Sequence, residues 1–405
     1  MARQNKPSNG LLGVVVVCVS LWAVAAGVNL QVPYFRTYLA SFEVGEGAAA
    51  SVFGAYILGL LPVLMLLGDS INRWGARNTV RLALILAGAA LVIIMMSQEP
   101  LWLYTVRVLQ GAAFGLIIGA SAVYLGRYLQ HATKTANVHG ALVASGLGGG
   151  ALLTSVGQLV VVSDPPASYW LVLGLVLACL LGSTWVLEEK EHDDGADQSR
   201  PGTWQQYLPV YADGVWAYGL YQLVGWSLVG IMIAVVTGEL ERNGLESWTG
   251  TLVFLSVATG AVVQPLCRGW TPLRNYRWGA CVFVSSYSLL VLSVLIDNLS
   301  VMLLSAALAG AAGLGFIYVA GVSIMMQVSD RLRPRALSGY FLLGYLGLGT
   351  PCVAIGALTD AVGLVQALTL YGISVVALMV ATMMMDGHRA IRHDRARETE
   401  ITELK

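Results

Sequence analysis

Long apolar stretches alternate with short polar segments along the whole chain. A membrane-spanning helix needs about 20 mostly apolar residues, because in about 30 Å of hydrocarbon its backbone groups must find partners within the helix. The pattern therefore predicts an all-α membrane protein with twelve spans, at residues 11–38, 47–67, 78–97, 101–126, 138–162, 168–187, 208–236, 247–267, 277–296, 299–327, 336–359 and 363–385. Most connections between them are short and contain turn residues, as in "SDPP", "TPLRN" and "TDAVG".

The composition supports this prediction and excludes other classes of protein. Of the 405 residues, 57% are apolar and only 11% are charged, unlike an ordinary soluble domain. The spans show no His, Asp and Glu cluster with metal-ligand spacing and no nucleophile beside a base, so we expect no enzyme, metal or cofactor. The odd number of widely spaced cysteines predicts no disulfide framework: Cys18, Cys179, Cys267, Cys281 and Cys352.

The positive charges lie almost entirely on one side of the predicted topology. If both termini are cytoplasmic, 20 of the 23 Lys and Arg residues fall in the tails and inner loops. The exceptions are Arg36 and Arg242 near outer loops and Arg107 within a span. This bias predicts cytoplasmic termini, and the short loops favour the plasma membrane of a bacterium.

A polar segment divides the spans into two groups of six. Residues 188–204, "EEKEHDDGADQSRPGTW", are rich in acids and contain Gly and Pro. We predict an N-terminal six-helix bundle at 1–187, a cytoplasmic linker at 188–206, a C-terminal six-helix bundle at 207–386 and a cytoplasmic tail at 387–405. Two pseudo-symmetric bundles of this kind place a substrate path at their interface, near the middle of the membrane.

The segment "GDSINRWGARNTV", residues 68–80, predicts a short basic hairpin between the second and third spans. It resembles the corresponding hairpin of the major facilitator superfamily, which has Gly, three residues, Asp-Arg, one residue, Gly and two basic residues. The resemblance covers the whole chain and implies two six-helix bundles that move a solute by alternating access. Asn72 stands in place of the acid and Ala76 in place of the first basic residue, while four positions match: Gly68, Arg73, Gly75 and Arg77.

The resemblance implies that this hairpin latches one bundle against the other on the inner side. Asp69 lies three residues before Asn72, so in a continuing helix both share a face, and we hypothesise that Asp69 supplies the missing charge. Ser338 or Gly339, in the loop that leads into span eleven, would then offer helix N-terminal amides to the latch. The alternative is that the arginines only fix the topology.

The segment "RVLQG" in the fourth span resembles a second motif of the family, which has Arg, two residues, Gln and Gly. An Arg within hydrocarbon is costly, so it is functional by default. We expect Arg107, with Gln110 beside it, to bind substrate or to respond to a nearby proton site. The alternative is that its long side chain reaches back to the outer interface.

The fifth span contains a cluster of glycines in "ASGLGGGALLTSVG". It resembles the family's antiporter-associated motif, although Leu147 stands where that motif has a proline. Small residues also permit ordinary close packing of helices, so the sequence leaves antiport and packing equally open. The four positions are Gly146, Gly148, Gly149 and Gly150.

Polar and aromatic side chains within spans are candidates for the substrate site, because alternating access requires such groups to face a central cavity. Each aromatic residue taken alone is more often a packing residue. In span seven, spacings of three and four residues place the candidates on one helical stripe. The candidates are Asn29, Gln31, Tyr34, Arg36, Arg107, Gln110, Tyr218, Tyr221, Gln222, Trp226, Gln264, Tyr340 and Tyr345.

Asp213 is the only acid within a predicted span, and it lies in the first turns of span seven. It is a proton carrier, a contact for a cation, or a residue that only favours the helix start. We predict a monomeric secondary transporter, with no nucleic-acid partner, that couples export of a drug-like molecule or metabolite to protons. The alternative is uptake or exchange of a polar or anionic nutrient. Arg36 and Arg107, both toward the outer half of the membrane, favour a substrate with anionic character. The short outer loops argue against a receptor.

Overall fold

A computed structural model describes residues 10–40, 42, 45–66, 70–96, 99–129, 132–186, 215–328 and 333–379. In the first half the helices are α1 (Gly10–Asn29), α2 (Phe35–Ala40), α3 (Glu46–Leu66), α4 (Ser70–Met96), α5 (Pro100–Leu129), α6 (Ala132–Val160) and α7 (Ala167–Val186). In the second half they are α8 (Val215–Ile231), α9 (Thr237–Arg242), α10 (Thr249–Cys267), α11 (Pro272–Leu295), α12 (Leu299–Gly310), α13 (Tyr318–Met325), α14 (Arg333–Val362) and α15 (Leu364–Met379).

The described helices confirm the all-α membrane fold. Eleven of them are long and apolar enough to cross a membrane, and the shorter α15 lies at the predicted twelfth span. π-helical turns join α8 to α9 and α12 to α13, so each pair forms one continuous rod. Among the described ends, two predicted boundaries differ from the structure by five or six residues. The seventh span continues to Arg242 through the first π-helical segment, and the ninth begins at Pro272, where Thr271 caps the helix.

The helices form two groups of six spans with an interface between them. The first group comprises α1 to α7, and the second comprises α8 to α15. Across the interface, α3 packs against α14, and α6 packs against α10. The linker predicted at 188–206 lies outside the described residues, so the boundaries between the bundles stay a prediction.

The hairpin that carries the family motif is only partly described. Gly75 has φ 77° and ψ 164°, a conformation that L-residues with a side chain rarely adopt, so the motif needs a glycine there. Gly68 and Asp69 lie outside the described residues, as do the side chains of Asn72 and Arg73. Arg77 is half-buried just after the turn. The latch formed by Asp69 therefore stays a prediction.

The glycines of α6 bring it close to helices of both halves. A Cβ atom at Gly150 would overlap the backbone carbonyl of Ala26 on α1. A Cβ at Gly148 would lie 3.1 Å from the Cα atom of Phe254 on α10, and Gly146 also faces α1, whereas Gly149 has ordinary contact distances. Close helix packing therefore accounts for the small residues at three of these four positions.

We expect Gly150→Ala to lower the stability of the protein, because α1 and α6 must move apart to admit the methyl group. Overpacking of this kind costs about 1–3 kcal/mol. Gly157→Ala, seven residues further along the same helix, is the matched control, since its Cβ would have no atom within 4 Å. Thermal unfolding in lipid nanodiscs should separate the two variants, and equal unfolding temperatures would contradict this account of the packing.

Candidate functional site

A central cavity of about 1160 Å³ lies between the two halves. Its wall is formed by α1, α3, α5 and α6 on one side and by α8, α10, α13 and α14 on the other, together with both π-helical segments. It extends from Arg107 in the interior to Gly126, Thr135 and Arg268, at one end of the bundle. We call this end, where α1 also begins, the basic end. The cavity therefore reaches the basic end, where the Arg268 guanidinium donates a hydrogen bond to Asn137 Oδ1 on α6.

At the opposite end, polar contacts join the two halves. The Asp360 carboxylate on α14 accepts hydrogen bonds from the backbone N–H groups of Glu46 and Gly47, at 2.7 and 2.9 Å. These amides begin α3, so the carboxylate also faces the positive end of the helix dipole. The Glu46 side chain pairs with Arg242 of α9 at 2.7 Å. We call these four residues the clasp.

At the end of the cavity farthest from the basic end, backbone carbonyls at a break in the first span hold Arg107. The helix α1 ends at Asn29, and a 3₁₀ turn that contains Pro33 follows. A proline has no N–H group, and the break leaves carbonyls of the last turn without their usual helical donors. Arg107 Nη1 donates to the Val28 carbonyl at 2.6 Å, and Nη2 donates to the Phe53 carbonyl on α3 at 3.3 Å.

Two glutamines fix the position of this arginine. The Gln110 Oε1 atom accepts from Arg107 Nη1 at 3.1 Å and from Gln31 Nε2 at 2.8 Å. The Gln110 Nε2 atom donates to the Gly27 carbonyl at 2.8 Å. Gln31 and Gln110 thus lie behind Arg107 and orient it. The predicted residues Arg107 and Gln110 therefore lie together in the structure, and Gln31, another predicted residue, contacts Gln110.

The Arg107 guanidinium is completely buried, and its charge has no acidic partner among the described residues. A guanidinium has five N–H groups, and the three hydrogen bonds above leave the Nε atom without an acceptor in the described structure. The rings of Phe53 and Tyr56 lie 5.1 Å from its central carbon, and the ring of Phe35 lies 5.6 Å away. Aromatic rings stabilise a cation without neutralising it.

The charged groups on the cavity wall are all positive. The lining residues include Arg107 and Arg268 but no Asp or Glu, and every lining residue is within the described ranges. A cleft with low-dielectric walls and charges of one sign concentrates their electric field. The arrangement therefore attracts an anion and disfavours a cation.

The other predicted site residues divide between the cavity and the packed interior. Asn29 lines the cavity and donates to the Leu147 carbonyl at 2.9 Å. Trp226 and Tyr345 also line it, with their rings in edge contact at 4.9 Å. The remaining predicted residues do not line the cavity, or their side chains lie outside the described residues. They are Tyr34, Arg36, Asp213, Tyr218, Tyr221, Gln222 and Tyr340.

The residues that do not line the cavity have structural contacts instead. Tyr218 and Tyr221 pack on the ring of Tyr276 at 5.3 and 4.7 Å. Tyr340 donates a hydrogen bond to Gln222 Oε1 in the interior of the second half. Tyr34 stacks on Tyr38 at 5.8 Å. Neither the Arg36 side chain nor Asp213 lies within the described residues, so their predicted roles stay predictions.

Many wall residues were not among the predicted site residues, including Phe53, Tyr56, His139 and Arg268. Phe53 and Tyr56 lie three positions apart on α3, which puts both on one helix face. Their spacing was the available signal, but aromatic residues in a span usually indicate packing. His139 lies within α6 and lines the cavity, although the sequence places it at the edge of the fifth span. Gln264, a predicted candidate, lines the cavity as well.

Comparison with known proteins assigns the family. The sequence profile of the Major Facilitator Superfamily matches residues 17–396, which is most of the chain. The chain belongs to the major facilitator superfamily. This membership confirms the predictions of a membrane transporter and of a protein that is not an enzyme. No curated protein sequence matches the chain.

Solved structures share the fold at low sequence identity. A single-residue variant of nucleoside transporter NupG has a TM-score of 0.73 and 11% identity, covering 92% of this chain and 99% of that one. The structure of nucleoside transporter NupG itself has a TM-score of 0.71 and 11% identity, covering 93% of this chain and 99% of that one. At this identity the likeness establishes the superfamily fold alone.

Proposed function

We propose that this superfamily transporter carries a small organic anion, in uptake or exchange, through the central cavity. The observation that carries the proposal is the buried Arg107 charge, which has no carboxylate partner among the described residues. A buried charge without a partner is unfavourable, so an anion in the adjoining cavity gains the attraction of a cation that no protein carboxylate neutralises. The aromatic wall of Phe53, Tyr56, Trp226 and Tyr345 suits the organic part of such a solute.

The direction of transport is part of the same proposal. Arg77, Arg268 and Arg335 lie at the basic end, which supports placing that end and both termini in the cytoplasm. The cavity then extends to the inner side, and the clasp closes the outer side. A nucleoside transporter has the same fold, and nucleosides are polar solutes, which favours the nutrient alternative over export of an apolar drug. We retain a monomer in a bacterial plasma membrane as the expected setting.

Proton-coupled export has less support at this site. The prediction relied partly on the glycines of α6, three of which contact neighbouring helices closely. Its proposed proton carrier, Asp213, lies outside the described residues. The cavity wall also lacks the carboxylate that would attract a cationic drug.

Matched pairs of solutes that differ by one charged group test the proposal. We would measure thermal stabilisation of the protein in nanodiscs by nicotinate and nicotinamide, benzoate and benzyl alcohol, gluconate and glucose, and uridine monophosphate and uridine. The expected result is stabilisation by the anion of at least one pair and not by its neutral partner. Arg107→Gln should weaken that binding by about tenfold or more, because it removes the charged donor.

The control for this experiment is Arg274→Gln. Arg274 lies outside the cavity, and the central carbon of its guanidinium is 4.0 Å from the centre of the Trp270 ring. This variant should bind the anion as the wild type does. Stabilisation by uridine alone would indicate a nucleoside transporter and overturn the proposed anion selectivity. Anion binding that survives Arg107→Gln would overturn the assigned role of Arg107.

A further inference from the structure

A third basic side chain, the imidazole of His139, faces the same cavity. Its Nε2 atom lies 3.1 Å from the Ile118 carbonyl and 3.1 Å from Ser121 Oγ on α5. The Ser121 hydroxyl donates to the Ile117 carbonyl at 2.6 Å, so its oxygen is free to accept. Two acceptors therefore face Nε2, which must carry the hydrogen when the ring is neutral. The lone pair then lies on Nδ1, which has no hydrogen-bond partner among the described residues.

The charged groups on the helices that pack against α6 near His139 are positive. The helix α6 packs against α1, α5, α7 and α10, and also against the 3₁₀ turns Val32–Tyr34 and Glu246–Trp248. Of the helices, α1 and α7 carry no charged residue, α5 carries Arg107 and Arg127, Arg268 follows α10, and α6 itself carries Lys134. The turn with Glu246 leads to Gly250, whose N–H donates to Ser155 Oγ, and Ser155 lies 16 residues, about 24 Å, along α6 from His139. The turn Val32–Tyr34 adds the phenol of Tyr34. The other titratable groups on these helices are thiols and phenols, which are uncharged near pH 7 in their usual forms: Cys18, Tyr104, Tyr124, Tyr128, Tyr169, Cys179 and Cys267.

We propose that His139 takes up a proton when an organic anion binds in the cavity, so that the anion and the proton are carried together. The inference rests on the proposed function and adds a coupling ion and a residue that binds it. The Nδ1 atom of His139 forms the new N–H bond, and the imidazolium charge and the charge of Arg107 then share the cavity with the anion. A proton alone would add a third cation to Arg107 and Arg268, whereas a bound anion offsets that repulsion.

Thermodynamic linkage gives this coupling a sign. If the anion favours protonation of His139, protonation must favour the anion by the same factor. The anion therefore moves the midpoint of His139 protonation to higher pH. Between the midpoints of the free and bound protein, affinity should fall about tenfold for each unit of rising pH. Outside this window the affinity of a fully ionised anion should not change with pH.

Deuterium exchange at the C2 position of histidine, read by mass spectrometry, measures protonation of His139 in the full-length protein. We would record the titration in nanodiscs with and without each of nicotinate, benzoate, gluconate and uridine monophosphate. An anion that binds should move the midpoint upward by about half a pH unit or more, which corresponds to about threefold tighter binding to the protonated form. Its neutral partner should leave the midpoint unchanged.

Two variants separate coupling from structural support. His139→Gln keeps an N–H donor for Ile118 but cannot titrate, so anion affinity should become independent of pH while the dependence on Arg107 remains. Ser323→Ala, on the opposite wall of the same cavity, should keep the pH slope of the wild type. An anion that binds without moving the His139 midpoint overturns the coupling and leaves the proposed function intact. If none of the four anions binds, the proposed function and the coupling both fail.

Discussion

The substitution Gln110→Glu is expected to abolish anion binding and at the same time to raise the stability of the protein. The Gln110 Oε1 atom lies 3.1 Å from Arg107 Nη1, so a carboxylate there would neutralise the guanidinium from within the protein. An unpaired buried charge costs about 3–5 kcal/mol. The change removes the two hydrogen bonds that Gln110 Nε2 donates, to the Gly27 carbonyl at 2.8 Å and to Gln31 Oε1 at 3.1 Å, and each contributes about 1 kcal/mol. Thermal unfolding and binding of the matched anions measure the two effects on one sample.

The opposite signs of these effects distinguish neutralisation from damage to the fold. Gln222→Glu is the control, because Gln222 is completely buried in the second half, where it accepts a hydrogen bond from Tyr340 and does not contact Arg107. This variant should lose stability, since it buries a carboxylate with no cation in contact among the described residues. A Gln110→Glu protein that is destabilised like the control and still binds anions would show that Arg107 does not carry the charge of the site.

The membrane fold could be predicted from the sequence because the thickness of the bilayer sets the length of each apolar run. The second span, predicted at 47–67, is found at Glu46–Met65, and the eighth, predicted at 247–267, is found at Glu246–Cys267. Arg107 was also predictable, since the cost of a charge in hydrocarbon makes such a residue stand out. Its partners were not. The carbonyls of Val28 and Phe53 are backbone atoms, which have no sequence signature.

The orientation of the aromatic residues could not be predicted for a different reason. In a membrane protein the lipid is as apolar as the helix interface, so hydrophobicity does not show which face is buried. Spacing indicates that Tyr218, Tyr221 and Trp226 lie near one another on α8. It does not show that Tyr218 and Tyr221 pack on Tyr276 while Trp226 lines the cavity. Such assignments require the neighbouring helix.

The clasp was not predicted because the sequence around each of its acids indicates a common local feature instead of a contact between the halves. Asp360 lies in "TDAVG", which predicts a turn, and Glu46 lies at a helix start, where an acid is common. The latch predicted from the family motif lies at the basic end, whereas the clasp joins the halves at the opposite end. Alternating access requires contacts that form and break at both ends in turn.

Asp360→Asn is expected to shift the protein toward a state that is open at the clasp end. The asparagine oxygen can still accept from one amide of α3, but its NH2 group cannot accept from the second, and the charge that faces the helix dipole is lost. For this exposed group the loss is about 1.4 kcal/mol, which changes the ratio of closed to open molecules by about tenfold. Spin labels at Val162 and Ile296, both exposed at the clasp end, should report longer distances between the halves.

Asp297→Asn is the control, because it removes the same charge at the same end of the bundle without a contact to the first half among the described residues. Its distance distribution should match that of the wild type. Arg242→Gln, which breaks the ion pair with Glu46, should shift the distances in the same direction as Asp360→Asn. If neither clasp variant changes the distances, the seal at this end comes from the close packing of α3 on α14, where Gly47 contacts Ala357, and the polar contacts follow closure rather than stabilise it.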